Sequence, residues 1–142
     1  MLPVFIIAQA EKSVVMESAW LTDYDTALAK AEKEDKNILV YFTGSDWCPP
    51  CKMLKKDLFE TTAFQDISND FIMLYIDMPM NRDLISDEQL RHNKDVSSKH
   101  NRKGAVPLLT ILNAKGKELD AYSGYSMNGE IRYHLDLLKK YQ

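Results

Sequence analysis

Two prolines stand side by side between two cysteines in Trp47-Cys48-Pro49-Pro50-Cys51, directly after an apolar run. Proline lacks an N–H and has a fixed φ, so a helix tolerates two in succession only in its first turn, where those donors would have no partner anyway. A helix must therefore begin beside Cys48. Upstream, Ile38 to Phe42 is an unbroken apolar, β-branched and aromatic run, as a central strand covered on both faces requires. Thr43-Gly44-Ser45-Asp46 is the loop between them. Beyond the prolines, Cys51, Leu54 and Leu58 share one helical stripe while Lys52, Lys55 and Lys56 face elsewhere. Cys51 is thus expected to point inward, with Cys48 exposed at the helix tip.

The same period reading extends along the chain. Tyr24, Leu28 and Ala31 recur at helical spacing, with Asp23 or Asp25 placed as the cap. Thr61 or Thr62 restarts a turn containing Phe64 and Ile67, and Phe71 to Ile76 is a second buried strand ended by Asp77. From Met78 to Arg102 the chain is polar, and Ser86 with Gln89 forms a capping-box spacing before a weakly amphipathic helix through Leu90 and Val96. Leu108–Leu112, the turn Asn113-Ala114-Lys115-Gly116 and Glu118–Tyr122 read as a hairpin. A last helix is expected to bury Ile131, Leu135 and Leu138, with Ser126 or Asn128 as its cap. Helices alternating with strands predict an α/β fold, a central mixed sheet flanked by helices on both faces.

Two thiols separated by two residues at a helix start can close a small disulfide ring reversibly. The helix N-terminus stabilises an anion on Cys48, lowering its pKa and making it the nucleophile, while Cys51, one turn further in, waits to resolve the mixed disulfide. Two other uses of the pair stay open. A structural disulfide would constrain little of the unfolded chain, because the ring is so small. A zinc site would need two further ligands, and His92, His100 and His134 offer no recognisable spacing. Met78 and Met80 read as packing rather than copper ligands, and Lys99, Arg102 and Lys103 as a solvated basic loop before Val106-Pro107. Trp47, beside Cys48, is a candidate platform for a substrate chain. No metal and no cofactor is called for.

Composition narrows the partners. With 142 residues the chain is long enough for one core and too short for two ordinary domains. Eighteen basic against 21 acidic side chains give a net charge of -3, so no chain-wide basic field exists for nucleic acid. Leu2 to Ile7 is apolar and Ala8-Gln9-Ala10 has the small-residue spacing of a signal-peptidase site, without a basic start. The run is far short of the roughly 20 apolar residues that span a bilayer, so stable membrane insertion is not expected. The expected division is a signal-peptide remnant over 1–10, an N-terminal extension over 11–19 and one domain over 20–142, in a periplasmic or otherwise exported protein.

An apolar strand, Trp-Cys-X-X-Cys opening a helix, and Val106-Pro107 directly before a strand resemble the thioredoxin superfamily over about residues 20 to 140. That resemblance implies the thioredoxin fold, with Cys48 as nucleophile, Cys51 as resolving cysteine and Pro107 in the cis form facing them. It also implies that Gly124, in Ser123-Gly124-Tyr125, borders the substrate groove, where the Val106 backbone pairs with an extended client segment. Tyr41-Phe42-Thr43-Gly44-Ser45-Asp46-Trp47 looks most like exported bacterial members. The resemblance further implies a thiol-disulfide oxidoreductase that reduces protein disulfides, acts as a monomer and is kept reduced by a membrane-borne thiol-disulfide donor. Oxidase or isomerase action on the same fold, or peptide binding without turnover, are the alternatives.

The chain departs from that pattern behind the motif. Thioredoxins carry a buried aspartate on the strand before the cysteines, and the matching position here is Tyr41, with no carboxylate expected to replace it nearby. Ile72, Met73 and Leu74 likewise supply no lysine, leaving water or the Tyr41 hydroxyl to move a proton to Cys51. The connection from Asp77 to Pro107 is also longer than in a minimal thioredoxin. Asp46 would oppose a Cys48 thiolate if it faced the sulfur, Lys52 would partly offset it, and Pro49 with Pro50 removes N–H donors the anion could use. These features lean toward a reducing couple.

Overall fold

The computed structural model of the chain describes residues 19–142. The expected signal remnant, and the expected extension over 11–19 except its last residue, lie outside the described residues. Five strands form one sheet in the order β1-β3-β2-β4-β5. They are β1 (Trp20–Leu21), β2 (Asn37–Thr43), β3 (Phe71–Asp77), β4 (Leu108–Leu112) and β5 (Glu118–Ser123). β1, β3 and β2 run parallel, and β4 and β5 pair antiparallel to their neighbours, so the sheet is mixed. The helices are α1 (Tyr24–Glu34), α2 (Pro49–Leu54), α3 (Thr62–Ser68), α4 (Asp87–His100) and α5 (Arg132–Tyr141). α2 runs on into a π-helical turn over Lys55–Phe59, and a 3-10 turn over Arg82–Leu84 precedes α4.

The period of two along each strand divides the core into two halves. Leu39 and Tyr41 of β2, Met73 of β3 and Leu109 and Ile111 of β4 meet Leu54 of α2, Leu58 and Phe59 beyond it, Phe64 of α3 and Leu137 and Leu138 of α5. Ile38, Val40 and Phe42, with Ile72, Leu74 and Ile76, turn the other way onto Ala27 and Ala31 of α1 and Val96 of α4. Helices therefore cover both faces, as expected. β2 sits centrally, which is why its sequence is a continuous rather than alternating apolar run.

Several local expectations meet the structure directly. Asp23 caps α1 by accepting the Thr26 N–H at 2.9 Å, and Thr61 caps α3 by accepting that of Phe64 at 3.2 Å. Ser86 caps α4 through the Gln89 N–H, but the Gln89 amide does not return to Ser86. It donates instead to the Thr22 carbonyl at 2.8 Å and to Asn93 Oδ1 at 2.9 Å, tying α4 to the start of α1.

Three features differ from expectation. β1, only two residues long, is too short to show a period, yet it seats Trp20 among Phe59, Phe64 and Tyr41. α5 starts at Arg132 with no side-chain cap, because Asn128 Oδ1 accepts the Glu130 N–H and Glu130 in turn accepts that of Arg132 before the helix begins. Its buried face is His134, Leu137 and Leu138, with Ile131 and Leu135 only partly covered. Among the described residues no helix is long and apolar enough to cross a membrane.

Candidate active site

The site grows from the carboxyl end of β2. Phe42 pairs with Leu108 and Thr43 with Asp77, so the motif loop, the Val106-Pro107 segment and the loop after β3 leave the sheet at one end. Gly44 turns the chain under Trp47, and a Cβ there would run into the indole. Cys48 is the N-cap of α2 and Pro49 and Pro50 occupy its first turn, as the sequence requires. With two N–H groups absent, the Cys51 N–H is left to cap, and it donates to Cys48 Sγ at 3.3 Å. Cys48 and Cys51 form a disulfide with Cα atoms 5.3 Å apart.

Cys48 is buried in this oxidised form, at 3% exposed against 2% for Cys51. The expectation of an exposed Cys48 does not hold here, because its sulfur is folded back onto the α2 N-terminus and bonded to its partner. Lys52 is exposed, pointing away from the core.

Asp46 does not contribute as its position suggested. Its two oxygens accept the N–H groups of Met80 (2.9 Å) and Asn81 (2.8 Å), which clamp the loop after β3 against the motif. The Asn81 and Met80 donors hold its carboxyl below the usual range, with a smaller part from Lys52. The charge is thus engaged by that loop, which removes it as an argument for a reducing couple. Four further bonds complete the clamp. The Trp47 indole donates to the Met78 carbonyl at 2.9 Å, the Met78 N–H donates to Thr43 O, and Ser45 donates its N–H and hydroxyl to Asp77. Trp47 keeps a partly exposed face.

Behind the disulfide, Tyr41 is buried and its hydroxyl donates to the Cys51 carbonyl at 3.3 Å, not to a sulfur. Burial pushes its phenol up to about 12, with the Asp77 charge adding to the rise. The Tyr41 position therefore holds a proton at neutral pH. A carboxylate is present after all: Asp77 enters from β3, opposite Thr43, and its charge reaches both Tyr41 and Tyr75. Strand pairing across residues far apart in sequence supplies it, so no local motif could announce it.

Val106-Pro107 is cis, as expected. Val106 is partly buried against the aliphatic half of the core. Gly124 has φ +89, a conformation that only glycine adopts freely, and its N–H donates to Pro107 O at 2.8 Å. A Cβ there would meet open space. Its carbonyl accepts from His134 Nε2 at 3.0 Å, a partner the sequence reading missed. A histidine on the apolar stripe of a helix was the available signal, because a buried polar ring needs a partner. Among the described residues no group of three or more His, Cys, Asp or Glu could hold a metal ion.

A mixed sheet with a disulfide at a helix start and a cis-proline at the same sheet end defines a thioredoxin-type thiol-disulfide site. The chain belongs to the thioredoxin-like family, whose model matches residues 19–114. It is similar to a disulfide bond reductase, DsbH of Chlamydia pneumoniae, with 28% identity over 111 residues covering 78% of this chain and 65% of that protein. Among solved structures it is similar to a DsbH oxidoreductase, with TM-score 0.73 and 24% identity over 84% of this chain and 81% of that one. It is also similar to a thioredoxin from Thermus thermophilus, with TM-score 0.62 and 19% identity over 85% and 84% of the two chains. The chain thus spans a little under two-thirds of the length of the curated reductase it matches.

Proposed function

We propose that this chain is a thiol-disulfide oxidoreductase that reduces protein disulfides outside the cytoplasm. The observation that carries this reading is the Cys48–Cys51 disulfide at the start of α2, with the Cys51 N–H directed at Cys48 Sγ. In the reduced form that donor supports a Cys48 thiolate. The thiolate attacks one sulfur of a client disulfide, forms a Cys48–client bond and releases the other client sulfur as a thiolate, which takes a proton from water. Cys51 loses its proton, attacks Cys48 Sγ and releases the second client thiol, so two electrons pass to the client and the Cys48–Cys51 disulfide returns. Water receives the Cys51 proton, since the Tyr41 hydroxyl is engaged with a carbonyl.

Trp47, Val106, Pro107 and Gly124 form the client-docking edge in this reading, with Pro49, Pro50, Tyr41 and Lys52 in support. The reductase direction rests on the missing N–H donors of Pro49 and Pro50, which leave the thiolate less stabilised than in a strong oxidant. The similarity to a protein named as a disulfide bond reductase supports the same direction. A membrane-borne dithiol donor would restore the reduced state, and the protein would act as a monomer after losing residues 1–10 as a signal remnant.

Insulin reduction by the full chain tests the chemistry. Cys48→Ser is expected to abolish it, and activity surviving that substitution would sink the enzyme reading in favour of a peptide-binding module. Limiting alkylation of the reduced protein should label Cys48 before Cys51. The direction is tested by redox equilibrium. By comparison with about -270 mV for thioredoxin and about -120 mV for a strong periplasmic oxidant, a potential above roughly -170 mV would assign an oxidase instead.

A further inference from the structure

We propose that His134 of α5 is a positioning residue for the client-docking edge, setting the Gly124–Pro107 contact through its bond to the Gly124 carbonyl. The inference rests on the reductase reading for its kinetic consequence, though not for its geometry. His134 is 2% exposed and its Nε2 lies 3.0 Å from Gly124 O. A carbonyl oxygen only accepts, so Nε2 carries the hydrogen. Gly124 then passes the constraint on, because its own N–H donates to Pro107 O at 2.8 Å. One side chain thereby links α5 to the cis-proline through a single glycine.

The other ring nitrogen explains why this bond is the reason for the histidine. Nδ1 is buried with no hydrogen-bond partner among the described residues. An unpaired buried polar atom is destabilising, and an apolar residue of similar size would avoid it. The ring is also held edge-on by Tyr122 and Tyr125, at centroid distances of 4.7 and 5.6 Å, so its orientation toward Gly124 is set by packing. Tyr125 is anchored in turn, donating to Asp57 and accepting the Gly129 N–H. The loop after β5 is thus fixed downstream by Tyr125, and Gly124 itself is fixed by His134.

The test compares His134→Leu, which removes the donor, with His134→Gln, whose amide N–H can reach the same carbonyl. Steady-state reduction of a disulfide-linked peptide is measured beside the Cys48–Cys51 redox potential. His134→Leu is expected to raise KM about five- to tenfold, as loss of one buried hydrogen bond implies, with kcat and the potential unchanged and with KM recovered in His134→Gln. An unchanged KM in His134→Leu, a fall in kcat without a rise in KM, or a Gln variant as impaired as Leu would overturn the assignment. Amide exchange at Gly124 separates this from the reductase reading. If the unsubstituted chain reduced no disulfide, that reading alone would fall. Faster Gly124 exchange in Leu but not in Gln would still uphold the positioning role, and equal exchange in all three would end it.

Discussion

The two faces of the sheet are built from different materials. On the face that carries α2, rings dominate: Trp20 stacks on Phe64 with planes 8° apart, Phe59 meets Tyr41 at 4.5 Å, and Tyr75, Tyr122, Tyr125 and Tyr141 close the rim. On the face that carries α1 and α4, the core is Ile38, Val40, Ile72, Leu74, Ile76 and Leu112, with Phe42 inside and Tyr24 at the edge. Rings with hydroxyls can be buried and still deliver a polar atom where one is needed. Tyr41 delivers one to the Cys51 carbonyl and Tyr125 one to Asp57. The aliphatic face chiefly holds the sheet together, with Val106 at its edge, while the aromatic face carries the motif helix and also addresses the chemistry, so the faces should separate under mutation.

The largest expected effect is on stability. Leu74→Ala, fully buried on the aliphatic face, should cost about 2–5 kcal/mol in urea unfolding. Its redox potential should match the unsubstituted chain, since Leu74 belongs to the aliphatic cluster and the motif helix packs into the aromatic one. Leu54→Ala, equally buried but on α2 three residues beyond Cys51, should lose similar stability and also shift the potential. Equal shifts in both variants would break the distinction between the faces.

A smaller effect is expected at Tyr41. The Cys51 carbonyl also accepts a backbone N–H from Lys55, so Tyr41→Phe leaves no orphaned acceptor and should cost about 0.5–1.5 kcal/mol. Resolution of a Cys48 mixed disulfide by Cys51 should keep its rate, because a phenol held at about 12 neither takes nor gives a proton readily at neutral pH. A strongly slowed resolution step would instead make Tyr41 the proton carrier.

These contrasts bear on what could be read in advance. Pro49-Pro50, the apolar run before them and the periods around them dictate local geometry through φ, missing donors and burial, so α2, β2 and the cysteine pair were legible. Asp46 was not. Its partners are 34 and 35 residues away, and the choice between facing a sulfur and facing the Met80 and Asn81 amides is made by the tertiary path of the loop after β3. Trp20 was invisible as a strand because two residues show no period, although its indole organises the aromatic face. Asp46→Ala should therefore loosen that loop rather than retune the thiol. Amide exchange at Met80 and Asn81 should rise while the Cys48 alkylation profile stays put, and a displaced profile would return Asp46 to the sulfur.

The smallest expected effect uses one histidine on each face, His134 buried and His100 partly buried. His134 packs on Tyr122 and Tyr125 of the aromatic face, and His100 meets the Tyr24 hydroxyl at 3.2 Å on the aliphatic one. Burial is the main cause that lowers both below the ordinary 6.5. At His134 the Gly124 carbonyl opposes it, and at His100 Glu118 opposes while Lys99 assists. The sign follows from proton binding. Below about 6.5 the unfolded chain protonates these histidines while the folded chain does not, so the folded state loses stability as pH falls from there toward the lowered folded values. Above that window both states are neutral and the histidines contribute no slope. Urea unfolding at pH 7.5 and 5.5 should show lower stability at the acid end, and His134→Gln and His100→Gln should each remove part of the difference. The two variants also differ in a way that returns to the faces: only His134→Leu, never His100→Gln, should alter KM for a peptide disulfide. A KM change in His100→Gln would mean that the aliphatic face positions the client through more than Val106 at its edge, and the division between a structural face and a chemical one would fail.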